Sequence, residues 1–304
     1  MIVTSAAQFR AAYSAEGYPP CRPATARGAF LVAPASAALA VESAQDNAYM
    51  LDAGVIDLAR ARAQHDALAL ALGVDVPVTL FAGDPDCADG MFPNNVFATT
   101  HGRLIVGRMR HTVRQREARR VDIRAYFRDV LGYGVIDFSQ ETFVAELTGA
   151  LVIDRARGIG YCGLSERCDL DGVRAMHAAF GLRLSFAFPL AAGEYHTNVV
   201  LAVLAGRAAL IAADGFARSE DAQAIADVYG EGAIWLDAAQ KAAYAGNAIA
   251  LNSQRVWLSA RAEAALTPAQ RAALARQGFA IGAVDLAEIE KAGGSLRCCV
   301  AEIY

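Results

Sequence analysis

Several things are missing from this 304-residue sequence, and each absence removes a class of protein. No CxxC pair occurs among its six cysteines (Cys21, Cys87, Cys162, Cys168, Cys298 and Cys299), so a structural zinc site is not indicated. Neither GxGxxG nor GxxxxGK[ST] is present, which argues against the common nucleotide folds. There is no basic block of the kind that grips phosphate backbones. The densest basic run, RQREARR (114–120), carries a glutamate and reads as the solvated face of a helix, so nucleic acid is not an expected partner. The most apolar stretch, VVLAVLAGRAALIAA (199–213), is broken by Gly206 and Arg207. It is too short to span a bilayer and reads as two buried strands joined at AGR. The N-terminal twenty residues have no basic segment followed by an apolar core, so no signal peptide is read there. A cytoplasmic chain without a membrane partner is expected, with reduced thiols that mostly serve as small core residues. No Pro/Gly/Ser-rich linker interrupts the chain, so residues 1–304 are taken as one domain.

The residues that are present fit a large core: 55% are hydrophobic and the formal net charge is only −4. Short apolar runs alternate with amphipathic ones. Strands are expected at 29–36, 76–83, 95–100, 103–109, 150–155, 159–164, 183–188, within 199–213, at 233–237, 248–260, 279–284 and 298–304. Helices are expected over most of 46–72, and over 114–131, 169–180, 219–229, 267–277 and 285–291. Thr267, Pro268 and Gln270 form a helix-start signature, and Gly278 suits the matching stop. Strands that come in close pairs between helices point to an α/β chain. They suggest a repeated unit of about three strands and a helix rather than a doubly wound sheet.

Candidate chemistry begins at GGSLRCCV (293–300). A thiolate is a strong nucleophile when a histidine and a carboxylate handle its protons. A lone cysteine in a C-terminal strand is more often simply buried, although the preceding Gly293–Gly294 lets a ligand approach the backbone closely. Of the five histidines, His196 stands at the entry to an apolar strand, a favoured place for a catalytic group. Glu146 precedes a Thr-Gly turn and a buried strand, where a carboxylate can equally be a cap or turn residue.

Taken together, six segments resemble the guanidine-modifying, or amidinotransferase, superfamily. They are ESAQDNAYM (42–50), DGMFPNNVF (89–97), ELTGALVIDR (146–155), YCGLSERCD (161–169), EYHTNV (194–199) and EKAGGSLRCCVAEI (290–303). The branch they are most similar to holds the dimethylarginine dimethylaminohydrolases and the bacterial citrulline-utilisation hydrolases. The resemblance implies a five-bladed α/β propeller, the pentein, built of ββαβ-type units. It makes Cys298 the nucleophile toward the planar carbon of a guanidino or ureido group. His196 becomes the proton carrier, and Glu146 the carboxylate that holds substrate nitrogens and positions His196. Arg167 matches an arginine that binds the substrate α-carboxylate, a role suited to a bidentate guanidinium. Arg114, with Arg116 as a rival, falls near a second such arginine. Asn94 and Asn95 read either as readers of an amide or ureido group or as a turn after Pro93. Cys299 is expected to be a packed core thiol, facing away from Cys298 along a strand.

The sequence departs from guanidine-hydrolysing members at two places. Thr99 and Thr100, and Asn198, stand where those members carry acidic residues. A buried cation without carboxylate partners is costly, so neutral groups here favour a neutral ureido substrate, although Asp89 or Glu146 can still grip a cation. The expectation is a hydrolase without metal or cofactor acting on a small-molecule amino acid, best read as citrulline going to ornithine, ammonia and carbon dioxide. Asp89, Asn94, Asn95, Asn198, Arg114 and Arg167 would form the substrate-binding set. Arginine or methylarginine hydrolysis, amidino transfer, and a non-enzymatic binding protein on the same scaffold are the alternatives. A homodimer is left open.

Overall fold

The computed structural model describes residues 1–50 and 55–304. Five small sheets share one pairing rule. Phe97–Thr100 runs antiparallel to Arg103–Val106, which runs parallel to Gly134–Asp137. The same order recurs in Leu151–Asp154, Ile159–Leu164 and Leu184–Pro189, and in Leu201–Leu204, Ala208–Ala212 and Ala233–Leu236. In the next unit the first strand shrinks to a single bridge, Ile249 to Trp257, before Arg255–Ser259 pairs parallel with Ala280–Val284. The remaining unit joins the two ends of the chain: Ala301–Ile303 pairs antiparallel with Gly28–Val32, itself parallel to Val78–Phe81. Parallel neighbours need a crossover, and helices supply it. Leu58–Leu72, Leu170–Ala179, Ser219–Tyr229 and Pro268–Arg276 each lie between the second and third strands of a unit. The ββαβ-type repeat expected from the sequence is therefore present.

Local chemistry sets the ends of these elements. Asp57 and Asp169 accept a backbone N–H at the starts of their helices, and Thr267 with Gln270 closes a capping box. Middle strands such as Ala208–Ala212 are buried at every position, which is why they read as unbroken apolar runs.

The structure corrects several expectations. The stretch 114–131 is not one helix but short pieces, Thr112–Gln115, Glu117–Arg119, Val121–Ala125 and Tyr126–Val130. Arg120 breaks it with an extended ψ of 96°. Nor is RQREARR a solvated face: Arg114 and Glu117 are turned inward and buried. Residues 285–291 form only the turn Ile289–Lys291. Cys298 and Cys299 lie in a turn, Leu296–Cys299, ahead of the strand and not in it. An N-terminal strand, Ile2–Val3, and helix, Ala6–Glu16, add to the expected set. Part of the helix expected over 46–72 falls at 51–54, outside the described residues. Among the described residues no helix is long and apolar enough to cross a membrane.

Candidate active site

Each unit places a polar or reactive side chain at the turn leading into its first strand. Asn95 ends the turn Pro93–Asn95 before Phe97–Thr100. Glu146 flanks Leu147–Ala150 before Leu151–Asp154, and His196 flanks Thr197–Val200 before Leu201–Leu204. Asn247 precedes the Ile249 bridge, and Cys298 sits in the turn before Ala301–Ile303. The five are spaced 51, 50, 51 and 51 residues apart and all are buried.

His196 and Glu146 form one contact: Nε2 lies 2.8 Å from Oε2. Glu146 also accepts from Arg167 Nη1 at 3.2 Å and from the Arg110 backbone N–H at 3.0 Å. Burial alone would raise its pKa, but the Arg167 charge and then His196 outweigh it and hold the carboxyl well below the ordinary range. The imidazole pKa is lowered too, which for a histidine favours the neutral form. Burial, with Arg167 and Arg114 nearby, depresses its pKa against the opposing pull of Glu146. An ionised Glu146 can only accept, so Nε2 carries the proton and Nδ1 keeps its lone pair. Nδ1 is buried without a partner among the described residues. It faces Gly149, where an added Cβ would come within 2.9 Å of Nδ1 and 2.3 Å of Asn95 Oδ1. Only glycine fits there.

Cys298 Sγ is approached by Asn247 Nδ2 at 3.3 Å and by the Asn198 amide at 3.8 Å. Asn247 Oδ1 accepts from the Arg297 N–H at 2.9 Å and the Cys298 N–H at 3.4 Å, pinning the turn. Burial pushes the thiol above its ordinary 9.0, against lowering contacts from Ser295, Asn247, Arg297 and Asn198. Both shifts favour the neutral forms, thiol and imidazole. Cys299 is fully buried among apolar side chains, its pKa raised further, chiefly by burial.

A cavity of about 20 Å³ reaches Cys298, walled by Asp89, Asn95, Arg114, Arg167 and Tyr195. Ser43 and Asn47 cover it. Ser43 Oγ donates to Asp89 at 2.6 Å, and Asn47 Nδ2 to the Gly293 carbonyl at 3.2 Å. Asn47, rather than a ligand, makes the close approach at Gly293, whose φ is 76° and where a Cβ would meet Asn47 Nδ2 at 2.4 Å. Such a volume holds about one water.

The other expected residues divide. Asn95 is on the cavity wall, whereas Asn94 is not, and its amide has no partner among the described residues. Arg114 reaches the cavity but is held bidentately by Glu117 at 2.8 Å, while Arg116 is exposed. Arg167 is clasped by Asp46 as well as Glu146. Thr99 and Thr100 lie elsewhere. Thr99 Oγ1 donates to the Glu302 carbonyl at 2.8 Å, and Thr100 lines a separate cavity. Neither lines the cavity at Cys298, because both lie at the end of Phe97–Thr100 away from the Asn95 turn, so they give no support to a neutral pocket. Asn247 was missed from the sequence because it stands just before the strand expected at 248–260 and belongs to no motif. Its signal is the spacing of 51 residues before Cys298. Among the described residues no group of three or more His, Cys, Asp or Glu is placed to hold a metal ion.

A thiol, a histidine–carboxylate pair and a charged cavity suit attack on a planar carbon. The family model described as N,N dimethylarginine dimethylhydrolase, eukaryotic, matches residues 33–304. The chain belongs to this family. Membership makes it a hydrolase acting on C–N bonds. No curated protein sequence matches the chain. Solved structures share the family member's fold. The N-terminal domain of ArgZ, an arginine dihydrolase from the ornithine-ammonia cycle in cyanobacteria, superposes with a TM-score of 0.78 at 19% identity, covering 91% of this chain and 97% of that one. That structure is a cysteine-to-serine variant bound to substrate. Unliganded AgrE gives 0.79 at 20% identity, over 91% of this chain and 39% of that one. A dimethylarginine dimethylaminohydrolase adduct with 4-chloro-2-hydroxymethylpyridine gives 0.70 at 23%, over 91% and 100%.

Proposed function

We propose that this family member is a cysteine-dependent hydrolase of the guanidino group of an arginine-type amino acid. The observation that carries the reading is the buried constellation itself: Cys298 at a cavity whose wall includes the carboxylate of Asp89, with the His196–Glu146 pair behind it. A guanidinium brought next to Cys298 would favour the thiolate, because a nearby cation lowers a thiol pKa. Sγ then bonds to the planar carbon. The C–N bond breaks as His196, having taken up the thiol proton, protonates the leaving amine or ammonia. Water adds to the resulting amidino-thioester carbon, His196 Nδ1 takes its proton, and the C–S bond breaks to give a ureido product and free Cys298. Glu146 stabilises the imidazolium that forms transiently. Every step falls to a side chain of this chain, and no cofactor is assigned.

Asp46 now occupies the bidentate face of Arg167, where the α-carboxylate of a substrate would sit. Binding would exchange one carboxylate for the other and move the Ser43–Asn47 segment off the small cavity. Asp89, Asn95, Asn198 and Arg114 complete the proposed binding set, whereas Asn94, off the cavity wall, is left out of it. The five repeated sheets support a five-bladed pentein propeller in one catalytic domain.

Citrulline is the second reading. The amides of Asn198 and Asn247 beside Sγ suit a neutral ureido group, and its hydrolysis would give ornithine, ammonia and carbon dioxide. Incubation with arginine, methylarginines and citrulline, with products identified by mass, separates the two. Turnover of arginine or a methylarginine supports the first reading. Turnover of citrulline alone supports the second, and turnover of none of them removes both.

A further inference from the structure

A second cavity, of about 490 Å³, is walled by Arg22, Arg27, Arg155 and His101 over an apolar floor that includes Phe180 and Leu182. This is within the range of small-ligand sites, whereas the cavity at Cys298 holds about a water. No aspartate or glutamate lines it. Its three guanidiniums are held by neutral oxygens only. Arg22 donates to the Gly181 carbonyl at 3.2 Å, Arg155 to the Thr99 carbonyl at 3.2 Å, and Arg27 to the Tyr133 hydroxyl. None forms a salt bridge among the described residues; Arg22 and Arg27 are exposed and Arg155 is half-buried, so all three are open to a ligand from solvent, unlike the buried and carboxylate-matched Arg114 and Arg167. In a chain of net charge −4, three unmatched arginines converging on one cavity reverse the local sign. Like charges held together this way repel unless an anion offsets them. The guanidiniums are also pre-set. Arg155 stacks over the Tyr304 ring at 4.0 Å and the Phe180 ring at 5.2 Å, and Arg27 over Tyr133 at 5.5 Å, leaving N–H edges for a ligand.

We infer that this cavity binds a small organic anion carrying at least two negative charges, as phosphates or carboxylates, on an apolar or aromatic body. The charged groups pair with Arg22, Arg27 and Arg155, the hydroxyls of Thr25 and Thr100 add donors, and the body rests on Phe180 and Leu182. The site is separate from Cys298. The two cavities share no lining residue. Binding here therefore does not depend on the reaction proposed for Cys298.

The test is calorimetric titration of the full chain at low salt with pyrophosphate, citrate and ATP. At least one probe is expected to saturate below about 1 mM. Pyrophosphate or ATP alone would assign phosphates, and citrate alone would assign carboxylates. The exposed pair Arg22→Gln with Arg27→Gln should weaken binding by roughly tenfold or more, since each removes a charge-assisted contact. Cys298→Ser should leave binding unchanged. No saturable binding of any probe up to about 10 mM would overturn the inference. So would equal affinity in the double variant, or loss of binding in Cys298→Ser.

Discussion

His196 Nε2 stands 2.8 Å from Glu146 Oε2, both side chains fully enclosed, while His196 Nδ1 faces Asn95 across Gly149 without a partner among the described residues. One nitrogen is committed to orientation and the other is left for proton transfer. Glutamine in place of Glu146 removes the acceptor that fixes this tautomer. Glu146→Gln should lower kcat by roughly 10²–10⁴-fold, with little change in the alkylation rate of Cys298. An unchanged kcat would assign Glu146 to structure alone.

The thiol's pKa lies above 9.0 because burial outweighs its polar contacts. Inactivation of the free enzyme by iodoacetamide should therefore climb with pH and show no plateau below that value. A bound guanidinium acts in the opposite direction, stabilising the thiolate. The acid limb of kcat should then lie at lower pH than that of kcat/KM. Coincident limbs, or rapid alkylation at neutral pH, would mean that Cys298 is ionised before substrate arrives.

Asn247 touches Sγ and pins the Cys298 turn through two backbone N–H groups. Asn247→Ala should cut kcat by roughly 10²-fold through misplacement of the nucleophile. Asn247→Asp keeps the acceptor but sets a negative charge beside sulfur, so it should shift Cys298 alkylation to higher pH. If alanine leaves kcat intact, the residue has no positioning role.

Asp46 and a substrate carboxylate would compete for Arg167. Asp46→Asn weakens the competitor, so KM should fall several-fold with kcat nearly unchanged. A higher KM with a lower kcat would show instead that Asp46 serves to hold Arg167 against Glu146.

Much of this arrangement was readable beforehand. Strand runs such as IGYCGL at 159–164 and AALIA within 199–213 stand where apolar runs placed them, because middle strands buried on both faces leave an unbroken apolar trace. Cys298, His196 and Glu146 were named from motifs, and the geometry places the last two in contact. What stayed hidden depends on long-range packing. Arg114 and Glu117 sit in a basic-looking run, and their burial depends on pairing with each other and on the Asp89 and Phe92 carbonyls that accept from Arg114. Thr99 and Thr100 were matched by position along the chain, but they end the strand that begins beside Asn95 and so lie away from the cavity at Cys298. Asn247 has no local signature, since the first strand of its unit is reduced to the Ile249 bridge. The recurrence of about 51 residues that links it to Cys298 and His196 is legible only once the repeat is counted from site residue to site residue.

The most direct test is to quench the wild-type chain during turnover of an arginine-type substrate and map the modified peptide by mass, beside Cys298→Ser and Cys299→Ser. An amidino adduct on Cys298, no turnover in Cys298→Ser and retained turnover in Cys299→Ser are expected. An adduct on another cysteine, or turnover by Cys298→Ser, would contradict it.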